Sequence, residues 1–196
     1  MISAMNRVFV VISSLAGVLA GYWGPVEAHA EKLHFSYLWH LEQPIYWPDQ
    51  QVSGSDRYER AWESVQRNDG GAPHPANNLR EIFGKDDRVA VYQYRSGDCI
   101  NLIRGYPESG AQISYSGGLI ENIMSLGNAC QLGYGPGWNS RLREARGWTT
   151  SGQNKPRCDI VIFPFHHPLM PLCDESAVRK EIRLYKAIYA DAWGTS

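Results

Sequence analysis

Three short stretches carry the side chains that could do chemistry. His40, Glu42 and Gln43 fall within Trp39-His40-Leu41-Glu42-Gln43-Pro44. Ser114 and Ser116 precede Gly117-Gly118, and His166-His167 follows Phe163-Pro164-Phe165. His40 and Glu42, joined by His166 or His167, offer two imidazoles and a carboxylate, an acceptable zinc set for a metal-dependent enzyme. The same groups beside Tyr46, Trp47, Trp138 and Trp148 make a polar rim with aromatic platforms, suited to a carbohydrate. Each has an ordinary reading as well. His pairs are common in loops, and a carboxylate near a turn is usually a surface group. Gly117-Gly118 reads as a tight strand-to-helix turn, too weak a match for a phosphate loop. Arg141, Arg143 and Arg146 read as a solvated basic surface.

Strands alternating with helices would bring these stretches together. Leu33–Trp39 is a run of strand formers that Pro44 brings to a close. Ala111–Ser116 alternates as a strand should, and the apolar run Asp159–Phe163 suits a parallel strand buried on both faces. Helical spacing is expected over 56–67, from Pro75 toward Phe83, over Leu119–Leu126 and over Glu175–Ala192. Val89–Ile103 mixes both signals and is read as helix. Gly127–Pro156 has no apolar period and reads as a long, functional loop. Three strand-then-helix units predict an α/β fold with a parallel sheet. In such sheets functional groups gather at the carboxyl ends of the strands, where all three stretches lie. Trp39, Trp62 and Trp193 are expected to pack, and the loop residues Trp47, Trp138 and Trp148 to face the ligand.

Composition narrows the function classes. The chain has 196 residues and a net charge of −1, with no long basic run, which argues against a nucleic-acid partner. Hydrophobic residues make up 43% and charged residues 20%, values of a globular chain. Seven Trp and eleven Tyr against five Phe mean that most rings carry a polar handle. Arg7, the apolar run Val8–Ile12 and the triplet Ala28-His29-Ala30 have the layout of a secretory signal peptide over 1–30. Cleavage there leaves residues 31–196 as the working chain, periplasmic or extracellular and free of the membrane; a single N-terminal anchor is the alternative. An oxidising compartment permits disulfides among Cys99, Cys130, Cys158 and Cys173. A Cys158–Cys173 bridge is disfavoured if the pair brackets a strand, and unpaired thiols remain open.

Trp39–Pro44 resembles the opening W-H-x-H-Q-P motif of glycoside hydrolase family 57. The resemblance continues through Ile113–Asn122, and through Asp159–Phe163 with His166-His167-Pro168-Leu169-Met170-Pro171-Leu172, similar to the family's Y-H-P-I-L-P-L segment. It implies a partial (β/α)7 TIM-like barrel, of which about three β-α units are present, and a substrate among α-glucans or other polysaccharides. The chemistry implied is retaining hydrolysis or transglycosylation, without cofactor or metal. On this resemblance His40, Glu42, Gln43, Trp47, Asp159, His166 and His167 bind substrate. Two positions differ: Glu42 stands where the family usually has His, and Asp159 where it usually has Glu. The family's nucleophilic Glu and acid/base Asp are expected beyond Ser196, and a whole barrel needs about 250 residues. The expectation is therefore an N-terminal part, inactive alone, with a second polypeptide possible as its complement. A non-catalytic glycan-binding module is a further alternative.

Overall fold

The structure is a computed structural model that describes residues 35–46, 58–71 and 78–194. The chain divides into two units, Met1–Phe35 and Ser36–Ser196, and the fold below belongs to the second. The expected signal peptide and Trp47 lie outside the described residues.

Three parallel strands, β1 (Leu38–Leu41), β2 (Ala111–Tyr115) and β3 (Cys158–Ile160), form one sheet in sequence order. Between β1 and β2 come α1 (Ala61–Asp69), α2 (Leu79–Gly84), α3 (Asp86–Ala90) and α4 (Ser96–Leu102). A π-helical turn, Val91–Arg95, joins α3 to α4. α5 (Gly117–Asn128) follows β2 directly, and α6 (Ser140–Ala145) interrupts the segment read as loop. α7 (Glu175–Trp193) closes the described chain. The expected mixed α/β fold with a parallel sheet is what forms.

One face of the sheet is buried and the other is largely open. Leu41, Ala111, Ile113, Tyr115, Cys158 and Ile160 pack into a core with Ile100, Leu119, Ile123, Leu142 and Tyr185 from the helices. Leu38, Gln112 and Asp159, which share one register row, are exposed on the opposite face. β3 is therefore not buried on both sides as its apolar run implied. It is also shorter, since ladder pairing stops at Ile160 and Ile162 is 56% exposed.

Local chemistry explains the ends of the main elements. Ser116 caps α5 by accepting from Leu119 N at 3.2 Å, and Asp174 caps α7 by accepting from Ala177 N at 2.9 Å. Before β2, the buried Arg157 donates to the backbone carbonyls of Ser109 (2.8 Å), Tyr106 (2.8 Å), Arg104 (3.2 Å) and Ile103. One guanidinium thus satisfies four carbonyl groups of the segment between α4 and β2. All four cysteines are free thiols. Among the described residues, no helix is long and apolar enough to cross a membrane.

Candidate functional site

The carboxyl ends of the three strands are stitched together by backbone bonds. Ser116 N donates to Leu41 O, and Gly117 N donates to Phe165 O, both at 2.9 Å. The Ser116 hydroxyl also meets the backbone N–H and C=O of Gln43, each at 3.3 Å. Such close approach requires glycine at the start of α5. A Cβ on Gly118 would lie 2.8 Å from Gln43 O, and one on Gly117 would strike the Phe165 ring. Asn122, buried one turn further along, accepts from Ala61 N at 2.8 Å and donates to Pro44 O at 3.2 Å. It fixes the loop after β1 to both α1 and α5.

This scaffold brings His40, Glu42 and His167 together. His40 Nδ1 shares a 2.6 Å hydrogen bond with the buried Ser114 hydroxyl, its register partner on β2. His40 Nε2 lies 3.8 Å from a Glu42 carboxylate oxygen. The His40 and His167 rings are 4.7 Å apart, and Phe163 stands 5.1 Å and 5.2 Å from them. One donor atom from each of His40, Glu42 and His167 falls within 4.8 Å of the others. His167 adopts φ +54°, a conformation few non-glycine residues hold without support.

The other expected residues take different places. His166 turns away to α7, where Glu181 accepts from its backbone N–H at 2.8 Å and pairs with its Nδ1 at 2.7 Å. Gln43 is held by its side chain, donating to Tyr92 Oη at 2.7 Å and accepting from Tyr46 Oη. A cavity of about 220 Å³ separates these elements, lined by Glu42, Gln43, Tyr58, Ser116, Phe165 and His166. A larger, open depression of about 500 Å³ is lined by helix residues such as Glu121 and Asp191 rather than by strand ends. Asp159 is not brought to the rim. It pairs with Gln112, whereas Glu42 follows Leu41, the partner of Tyr115. The backbones of the two residues are thus offset by about 13 Å along the strand direction, at 3.3 Å per residue.

No family model, no curated protein and no solved structure matches this chain.

Aromatic residues sort differently from expectation. Trp138 belongs to the core, 5.1 Å from Trp193 and 6.0 Å from Tyr115 by ring centroids, and cannot serve as a sugar platform. Trp148 is partly buried with the Arg104 guanidinium 4.1 Å above its ring. Trp39 and Trp62 pack against the core as expected. Sequence reasoning missed Ser114 as the partner of His40, and it missed Glu181 and Asn122 entirely. An i+15 carboxylate on a distant helix leaves no local signal, and Asn122 looks like any polar position in α5.

Proposed function

We propose that this chain is the N-terminal part of a carbohydrate-active α/β barrel whose sugar-facing rim binds α-glucans. The observation that supports the reading is the convergence of His40, Glu42 and His167 at the carboxyl ends of three parallel strands. That end of a parallel sheet is where ligands bind in α/β folds generally. The resemblance of Trp39–Pro44 and of the segment after β3 to glycoside hydrolase family 57 supplies the substrate class. On this proposal the chain is exported, and a second polypeptide or further chain covers the open sheet face bearing Leu38, Gln112 and Asp159.

Binding without hydrolysis is the expected behaviour of these residues alone. Retaining hydrolysis needs two carboxyl groups about 5–5.5 Å apart, and inversion needs about 6.5–9.5 Å. Asp159 lies in the register row of Leu38, at the opposite end of the strands from Glu42, and so is not paired with it across a rim as either mechanism requires. The test is affinity gel electrophoresis of the full chain in glycogen or soluble starch. Retardation by the polysaccharide is expected, restored to free mobility in Glu42→Ala, with no release of reducing sugar. Mobility that glycogen leaves unchanged would remove the proposal, and steady amylase turnover by the purified chain would overturn its non-hydrolytic part.

A further inference from the structure

The geometry points to a divalent transition-metal site formed by His40, Glu42 and His167, with Zn²⁺ the best-fitting ion. It does not rest on the glucan reading, because the argument uses only the donor atoms and their surroundings.

The donor set is two imidazoles and a carboxylate, which suits borderline ions such as Zn²⁺ better than Mg²⁺ or Ca²⁺. Donor atoms on a tetrahedral ion at about 2.0–2.1 Å stand roughly 3.3 Å from one another. The 3.8 Å between His40 Nε2 and Glu42, and the 4.8 Å span of the whole group, need only a small inward movement of side chains to reach this. Three protein ligands leave a fourth position for water or a substrate hydroxyl, the arrangement of an open site.

The surroundings orient the ligands as metal sites require. Ligating histidines almost always donate their second ring N–H to a fixed partner. His40 has such a partner in Ser114 Oγ at 2.6 Å, a hydroxyl buried on the neighbouring strand. With Nδ1 donating there, the Nε2 lone pair is directed to the side where Glu42 lies. His167 is held in its φ +54° conformation by the turn in which its N–H donates to Pro164 O at 3.0 Å, and Phe163 walls both rings on one side. His166 is excluded as a ligand through Nδ1 because Glu181 occupies that atom. The structure thus distinguishes the two adjacent histidines, which the sequence alone leaves equivalent.

The test is metal binding by the full chain, stripped with chelator and then titrated with Zn²⁺ by calorimetry. One ion per chain is expected, and a tenfold excess of Mg²⁺ should not compete. His40→Ala and His167→Ala should lower the affinity by more than 100-fold, Ser114→Ala by about 10–100-fold, and His166→Ala by less than threefold. X-ray absorption of the zinc-loaded wild type gives a readout that needs no variant, and should show imidazole and oxygen neighbours at about 2.0–2.1 Å. Absence of stoichiometric Zn²⁺ binding, a zinc shell without imidazole, or equal loss in His166→Ala and His167→Ala would each overturn the assignment. Binding of Zn²⁺ with no retardation in glycogen would leave this site standing and remove the glucan proposal.

Discussion

At the scale of single residues, the rim depends on two positions that have no side chain. Gly118 sits against the backbone of Gln43 and Ile45, at 2.8 Å and 3.3 Å from where a Cβ would be. Backbone cannot move aside as a flexible side chain can, so Gly118→Ala forces α5 away from the loop after β1. Overpacking of this kind costs about 1–3 kcal/mol. A fall in Tm of several degrees is expected by thermal denaturation, against no change for Gly137→Ala, whose Cβ would meet nothing within 4 Å. Equal melting of the two variants would refute the role. The same reasoning explains why Gly117-Gly118 reads as a turn without revealing its purpose. The glycines are visible in the sequence, but Gln43 and Phe165, the groups that make them necessary, arrive from other strands.

At the scale of elements, the junction of β3 and α7 is a clamp. Glu181, 15% exposed on α7, takes both the backbone N–H and the Nδ1 of His166. A glutamine keeps the size but offers one acceptor oxygen instead of two. Glu181→Gln should therefore lower stability by about 1 kcal/mol, discounted because His166 is half exposed. The His166 imidazole resonances in NMR should shift, while those of His40 stay in place. Unmoved His166 resonances would argue against the clamp. Elements with a regular apolar stripe were legible beforehand: α5 and α7 fall where their periodicity puts them, and β2 within a residue of its expected end. The ambiguity of Val89–Ile103 has a structural cause, since the wide π turn at Val91–Arg95 interrupts the 3.6-residue period. α6 escaped notice because it buries only Leu142 and Ala145, too few apolar positions to define a face. Of the candidate site, His40, Glu42 and His167 were found from residue type and position after strands, whereas their buried partners were not.

At the scale of the whole molecule, the core hides several groups that ionise only in alkali. Burial pushes the Cys158 thiol up from 9.0 to about 11, with the Asp159 charge adding to it. Burial likewise raises Tyr115, Tyr134 and Tyr185 above their ordinary 10.0. A raised folded pKa means that the unfolded chain loses its proton first. The stabilisation from each group is complete below its unfolded pKa and is lost as pH rises through the folded one. Stability should therefore be level with respect to these groups below pH 9, decline above it, and fall more steeply above pH 10. The slope approaches about 1.4 kcal/mol per pH unit for each group engaged. Denaturant titrations across this range measure it directly, and Cys158→Ala should delay the onset. A midpoint independent of pH above 9 would contradict the burial of these groups.

The order of the sheet also bears on how the protein comes to be folded. His40 and Ser114 are 74 residues apart in the chain, while Arg157 and Ser109, which flank the β2–β3 pairing, are 48 apart. Closing the longer loop carries the larger entropic cost, by a few tenths of a kcal/mol. β1 also presents one exposed side and a free sheet edge among the described residues. β3 is the other edge strand, but only one of the four β1 residues is buried, against two of three in β3 and four of five in β2, so β1 has the least to gain from early docking. The strand that brings His40 and Glu42 is thus the natural last arrival, and the chain acquires its candidate ligands only when the rest of the sheet is already in place.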